Sequence, residues 1–395
     1  MPGVDEIIKK LNKEFKNNNL IVTGDFVKKI TKFPSGAFGM DYPLFGGLPL
    51  GNIYIYSGLP HSGKTTAACA ELAAYQQQFP DRPCVYVDAE HRLNLEHQAK
   101  MNGIDLSKLR YVDIPVGMSG EQVLDIIIEL EKSENIGLII LDSIPALIPA
   151  AVLKADMTED PGMRATMAKK FYQFYSEMLA LLSEKQNGLI CINQVRDGGV
   201  LNGVQLWKEA GGYAHQYYPT VAVRFGKRTF TLGDNMKALS DKNGEGADGF
   251  RLWFKITKNS TGSTTRGGGF ITYRYATGMD KLNDLIEIAE GFDFIKKAGA
   301  WRTLINLETG EAYVDENGNI LKGYMSDLKE YIRSHPDFQK EYVAMLQKYI
   351  SSSNENHGSL LDKEESDFID SQEAAIEKAN EQERAAFAAM HNKEK

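Results

Sequence analysis

The stretch Gly58-Leu59-Pro60-His61-Ser62-Gly63-Lys64-Thr65 sets two glycines five positions apart, with a lysine and a hydroxyl directly after the second. This is the spacing G-x-x-x-x-G-K-[ST], in which glycine lets the backbone curl until its N–H groups face inward and can cradle phosphate oxygens. Lys64 then reaches the β- and γ-phosphates of a nucleotide, and the Thr65 hydroxyl, with Thr66 beside it, faces a Mg²⁺ ion. The context agrees with the motif, because the apolar run NIYIY precedes it and the helix-forming TTAACAELAAYQQQ follows. A helix beginning there adds positive potential at the phosphate site. The chemistry expected is binding of ATP and Mg²⁺.

Two carboxylates belong with this loop. Asp142 closes the apolar run GLIILDS and so falls at the carboxyl edge of a strand, where ligands of open α/β sheets bind and where Mg²⁺ needs an anchor. Ser143 is expected to orient it. Glu90 directly follows CVYVDA at the same edge, near the place of a γ-phosphate, where a carboxylate can polarise water for in-line attack. Helix capping is an equally available role for a glutamate in that position.

The elements that must position these groups read as strand, glycine turn and helix in repetition. NIYIYSG, PCVYVDAEH, GLIILDS and GLICINQ alternate with helical segments, the last of them about Met163 to Glu184. Such alternation predicts βαβ units around a mostly parallel sheet. TVAVRFG, RLWFKITKN and GGFITYRYA are expected as further, partly antiparallel strands, with the polar, glycine-rich stretch after the first forming a surface hairpin or mobile insertion. Val4, Ile7, Ile8, Leu11 and Phe15 recur at helical spacing, giving an amphipathic helix that packs either on its own core or on a neighbouring subunit. The expected division is 1–33 for this oligomerisation helix and linker, 34–279 for the core, 280–350 for a small C-terminal α/β lobe, and 351–395 for an acidic, partly disordered or helical tail.

Composition excludes several classes. At 395 residues, 43% hydrophobic and 25% charged, the chain fits neither a fibrous nor a disordered protein. Cys69, Cys84 and Cys191 form no C-x-x-C pair and lie in apolar runs, which fits buried thiols in a reducing compartment. No stretch reaches the roughly 20 apolar residues of a membrane helix, and the charged N-terminus is unlike a secretory signal, so a cytoplasmic protein is expected. The formal charge of −8 disfavours nucleic acid at first sight. However, residues 351–395 hold eleven acidic and five basic residues, contributing −6 and leaving −2 for the rest. The tail is expected either as a solvated segment or, through Phe368, Ile369, Ile376 and Phe387, as a docking helix.

The series FPSGAFGMDYPLFGGLPLGNIYIYSGLPHSGKTT, VYVDAEHRLN, LIILDSIPALIP, CINQVR, AGGYAHQYY, KITKNS and FDFIKKAGAW resembles the bacterial and bacteriophage RecA recombinases in order and spacing, from about Phe33 to Trp301. The resemblance implies a RecA-like P-loop ATPase core of α/β class, DNA-stimulated ATP hydrolysis, helical filaments of the chain itself on single-stranded DNA, and strand exchange with double-stranded DNA. It implies Glu90 as general base and Gln194 as the sensor of the γ-phosphate. Two DNA-holding loops are implied, one at about Lys154 to Met163 with Arg164, Lys169 and Lys170 on the adjoining helix. The other runs from Asp197 to Gly212, with Arg196, Trp207, Lys208, Gly211 and Gly212 at the nucleic acid. Lys258 matches a lysine that reaches the neighbouring subunit's γ-phosphate, whereas Ser260 stands where the family usually has a second lysine. His97 and Tyr275 match the contacts to adenine, His97 replacing a tyrosine. A hexameric helicase of related fold and an ATP-sensing regulatory DNA-binding protein are the alternatives, separated by ring-shaped particles and by absence of turnover.

Overall fold

The computed structural model describes residues 3–15, 21, 30–133, 136–155, 163–201, 204–210, 212, 214–233, 237–239, 244–261, 267–352, 366–378 and 381. Met1–Thr31 and Lys32–Lys395 are separate compact units. In the first, helix α1 (Val4–Glu14) carries Asp5 and Glu6 in its first turn and Lys13 in its last, the charge order that a helix dipole favours. Its Val4 and Ile7 are exposed, and so is Phe15 after it.

The second unit begins with the small ladder of β1 (Lys32–Phe33) and β2 (Leu48–Pro49), around the short helix α2 (Phe38–Asp41). Its central sheet uses β3 (Asn52–Gly58), β4 (Cys84–Asp88), β5 (Leu109–Asp113), β6 (Ile139–Asp142), β7 (Gly188–Leu201), β9 (Val221–Leu232), β11 (Gly249–Asn259), β12 (Gly268–Arg274) and β13 (Gly278–Met279). The order is β13-β12-β11-β9-β3-β7-β6-β4-β5. From β9 to β5 all pairings are parallel, and from β9 to β13 all are antiparallel. Strands β4 and β6 are buried throughout, as continuous apolar runs covered on both faces must be. One face packs Tyr54, Tyr56, Tyr86 and Ile190 against α3 (Lys64–Gln78), whose Ala67, Ala68 and Ala73 permit close approach. The other packs Ile53, Val85, Ile139 and Leu189 against α5 (Gly120–Lys132) and α7 (Met163–Lys185). Ser119 and Gln122 close a reciprocal capping box at the start of α5. The three cysteines are free and buried.

The described ends of the polar insertion are strand. β9 and β11 remain paired out to Thr231 opposite Gly249, and β10 (Lys237–Ala238) folds back on β9. Residues 234–236 and 240–243 of it lie outside the described residues. β8 (Val204–Glu209) pairs antiparallel with the end of β7, Arg196 opposite Lys208 and Leu201 opposite Val204. The described part of the loop expected from Asp197 to Gly212 is thus an antiparallel strand pair. α4 (Leu95–Asn102), α6 (Ala150–Lys154) and α8 (Ala214–Tyr217) fill the connections.

The C-terminal part sets α9 (Lys281–Gly291), the ladder β14 (Ile295–Ala298), β15 (Trp301–Leu304) and β16 (Lys322–Gly323), and helices α10 (Met325–Ser334) and α11 (Pro336–Ser352) around Leu285, Ile332, Tyr342 and Leu346. The same cluster takes in Tyr42, Trp253 and Phe270 from the sheet side.

A last helix, over 366–378, follows the docking alternative rather than the solvated one over those residues. Ile369, Gln372, Ala375 and Ile376 are buried, Glu373 pairs with Arg224 at 2.5 Å, Asp370 pairs with Lys255, and Lys227 stands 4.2 Å over the Phe368 ring. Arg224 and Lys255 are directly opposed across β9 and β11, so two like charges share one face and need anions. Glu209 supplies a third carboxylate, 2.8 Å from Arg224. Phe387 lies outside the described residues.

Buried acids make stability depend on pH. Burial pushes the Asp284 carboxyl up to about 7, although the Thr272 N–H donates to it at 2.9 Å. Unfolded aspartate releases its proton near pH 4, so between about pH 4 and 7 the folded state binds more protons and this group's contribution falls as pH rises. Replacing Asp284→Asn removes that slope, and the variant gains on the native chain by at most about 4 kcal/mol between pH 4 and 8. Urea denaturation of both proteins at pH 5 and pH 8 measures this, and parallel pH profiles would refute the assignment.

Candidate active site at the sheet edge

Parallel pairing fixes which residues meet. Gly58 stands opposite Gln194, and Asp88 opposite Asp142; Gly58, Asp88 and Asp142 end their strands, while β7 runs on past Gln194 to Leu201. The Gly58–Thr65 turn leads into α3 through Gly63, whose φ is 89°. A Cβ there would lie 2.3 Å from a δ-carbon of Leu252, so only glycine fits both the left-handed backbone and the space. Lys64 is buried, and its amine donates to the carbonyls of Gly58 at 3.1 Å and Leu59 at 2.7 Å and to Ser62 Oγ at 3.3 Å. Burial lowers its pKa to about 8, against the opposing fields of Asp142 and Glu90.

Thr65 Oγ1 donates to Asp142 Oδ2 at 2.8 Å, and the Tyr86 hydroxyl donates to the same oxygen at 2.6 Å. Burial pushes the Asp142 carboxyl up, while these two hydrogen bonds pull it down. The convergence of the threonine and aspartate oxygens, joined directly across 77 positions of sequence, is a hard-oxygen donor set that fits Mg²⁺. Tyr86 was not foreseen. The signal was its place in VYVD, two residues before Asp88 on one face of a strand.

Glu90 is held from two sides. Ser143 Oγ donates to its Oε1, and Gln194 Nε2 donates to the same atom at 2.5 Å. Ser143 therefore does not orient Asp142, as the sequence suggested; its hydroxyl is committed to the Glu90 carboxylate of the neighbouring loop. Nor does Glu90 cap a helix. Its loop is organised by Asp88, which accepts the N–H groups of Glu90 at 3.1 Å, His91 at 2.8 Å and Leu93 at 3.3 Å, and the Tyr111 hydroxyl at 2.7 Å. Asp88 is the positioning residue that sequence reasoning missed, and Ser143 positions a different carboxylate from the one expected.

The other expected residues fall on elements around this centre. His97 is exposed in the first turn of α4, and Tyr275, also exposed, follows β12 with its ring 5.8 Å from that of Phe250. Gly278 brings the two elements together, since a Cβ on it would meet the Met101 carbonyl at 2.0 Å. Lys258 donates to the carbonyls of Gln216 at 2.7 Å and Tyr217 at 2.8 Å, capping the end of α8. α8 is anchored by His215, whose Nδ1 lies 2.6 Å from the Tyr175 hydroxyl of α7; burial lowers this imidazole to about 3 and keeps it neutral. Arg196, Lys169 and Lys170 are exposed, at the hairpin base and on α7. Gly212 is exposed as well, and a Cβ on it would lie 2.8 Å from that of Ala168, so the hairpin exit returns beside Lys169. The side chains of Arg164, Trp207 and Lys208, residues 156–162 of the first expected loop, and Gly211 lie outside the described residues.

Fold and site together define a P-loop ATPase built on an open, mostly parallel sheet. A family model described as the RecA N-terminal domain matches residues 3–262. The chain is 28% identical over 369 residues to the Protein RecA of Campylobacter hominis, covering 92% of this chain and 97% of that protein. The Protein RecA of Thermus aquaticus is 28% identical, with 90% and 98% covered, and that of Sulfurovum sp. is 31% identical over 303 residues, with 76% and 82% covered. The chain belongs to the RecA family of DNA recombinases, which are DNA-dependent ATPases. Among the described residues no helix is long and apolar enough to cross a membrane.

Gly63→Ala is expected to cost about 1–3 kcal/mol of stability, from strain and overpacking against Leu252, and to abolish nucleotide binding. Denaturant midpoints and nucleotide titration test both effects, and an unchanged variant would contradict this loop geometry.

Proposed function

We propose that this chain polymerises on single-stranded DNA with ATP enclosed between adjacent subunits, and pairs the bound strand with homologous duplex. The observation that carries the reading is the path of β7. Gln194, hydrogen-bonded to Glu90, lies two residues before Arg196 on the same strand, and that strand continues into the hairpin. One rigid element joins the catalytic carboxylate to the DNA-holding segment.

In this reading the Gly58–Thr65 backbone and Lys64 hold the triphosphate, and Thr65 and Asp142 hold Mg²⁺, which supplies charge neutralisation on the transferring phosphoryl group. His97 and Tyr275 border the adenine. Glu90 accepts the proton of the attacking water as the water oxygen bonds to the γ-phosphorus and the bond to the ADP oxygen breaks. Gln194 has two partners, the γ-phosphate or Glu90, and exchanging them frees the carboxylate and shifts the hairpin. Each such charge-assisted bond contributes about 1.5–3 kcal/mol, enough to bias a two-state element. Lys258 leaves the α8 carbonyls to reach the γ-phosphate of the neighbouring subunit, so assembly and nucleotide state are linked. Residues 1–33 pack on that neighbour, 34–279 carry the chemistry, 280–350 form an accessory lobe, and 351–395 act as a brake. Arg164, Lys169, Lys170, Arg196 and Lys208 neutralise DNA phosphates, Trp207 stacks among bases, and Gly211 and Gly212 offer backbone N–H groups.

ATP turnover with and without oligonucleotide, read beside electron micrographs, tests the whole. Stimulated turnover and helical filaments are expected; a chain that stays monomeric with Mg²⁺, ATP and oligonucleotide present sinks the recombinase reading. Glu90→Gln should keep ATP binding and slow hydrolysis by about 10²-fold or more, and wild-type turnover would show the base misassigned. Truncation after Ser351 removes Asp370 and Glu373 from Lys255 and Arg224 and should tighten duplex binding at low salt. Equal affinity would refute the brake.

A further inference from the structure

Beside Glu90 lies a polar cavity of about 260 Å³ whose lining includes Arg92, Gln194 and Arg196, with Pro145 and Ala146 as a wall. We propose that this cavity is a second phosphate site, separate from the Gly58–Thr65 loop, which takes a phosphate oxyanion between the guanidinium groups of Arg92 and Arg196. The inference deepens the ATPase reading above and rests on it for its place in the reaction.

The charge balance is the first reason. Several arginines of the body are matched by carboxylates, Arg224 with Glu209 and Glu373, Arg251 with Glu287, Arg274 with Asp280, and Arg302 with Glu290, while Arg82 and Arg110 donate to backbone carbonyls and Arg228 lies over the Phe230 and Phe250 rings. Among the described residues neither Arg92 nor Arg196 makes an ion pair or hydrogen bond. Glu90, the one carboxylate among the described residues lining the cavity, is already engaged by Ser143 and Gln194. Two cations facing one committed anion leave the cavity with an excess of positive charge, and planar guanidinium forks suit a tetrahedral oxyanion.

Preorganisation is the second reason. The backbone on both sides of Arg92 is tied to Asp88 through the N–H groups of Glu90, His91 and Leu93, and Arg196 is set by its ladder position opposite Lys208. Neither backbone segment needs ordering when the anion arrives. The same chemistry has two sources. Inorganic phosphate leaving the γ-position past Glu90 would pause here on the base of the hairpin, or a backbone phosphate of bound DNA would insert from outside.

The test compares the full-length chain with Arg92→Ala, Arg92→Lys and, as a control on β5, Arg110→Ala. Equilibrium dialysis of radiolabelled inorganic phosphate, with excess ADP and Mg²⁺, forms one arm. The other is the salt dependence of affinity for oligothymidylate. If product phosphate is the occupant, Arg92→Ala weakens phosphate binding about tenfold or more, Arg92→Lys lies between, and Arg110→Ala matches the native chain. If a DNA phosphate is the occupant, phosphate binding is unchanged and the salt slope falls by about 0.7 for the lost contact. Either result supports the site and names its source. Arg92→Ala equal to the native chain in both arms overturns it. The dialysis needs no turnover, so a chain without ATPase activity would sink the hydrolytic reading while the phosphate measurement still decides this one.

Discussion

Parallel hydrogen bonding among β3, β7, β6 and β4 aligns their carboxyl ends along one edge, and every chemical group of the site depends on that alignment. With Gly58 opposite Gln194 and Asp142 opposite Asp88, the glycine loop, the Gln194 amide and two carboxylates converge although they are far apart in sequence. A one-residue slip of any strand would turn its edge residue to the opposite face. The buried apolar runs of β4 and β6 resist such a slip, because both faces are packed against helices.

Within that frame the polar groups form a connected set rather than independent contacts. Asp88 shapes the loop of Glu90, Ser143 and Gln194 hold its carboxylate, and Tyr86 and Thr65 hold Asp142. A buried network of this kind is stable only when most members are satisfied. That condition ties Glu90, Ser143, Gln194, Asp142, Tyr86 and Thr65 into one arrangement at the sheet edge.

Electrostatics explains the tail in the same terms. The opposed Arg224 and Lys255 of β9 and β11 would repel one another on a bare sheet face. Glu373 and Asp370, one helical turn apart, match them. The acidic character of the tail, which by overall charge alone looked like a solvating property, is in part a complement to a particular pair of cations.

The loop Gly58–Thr65, the alternation of strands and helices, and the placing of Glu90 and Asp142 at strand ends were legible in the sequence, because each depends on short-range spacing: glycines that permit a turn, and apolar periods that commit a segment to a strand or helix. The family followed from several such words in fixed order. Edge strand β5, with its mostly exposed LRYVD, and the β7–β8 hairpin escaped notice, since neither has a buried apolar pattern of its own and both are stabilised by pairing with a distant partner. Tertiary structure alone decided that Ser143 serves Glu90, that Tyr86 serves Asp142, that Lys258 caps α8 and that the tail lies on Arg224. Those are contacts across tens to hundreds of residues, set by which strand lies beside which, and no local spacing encodes them.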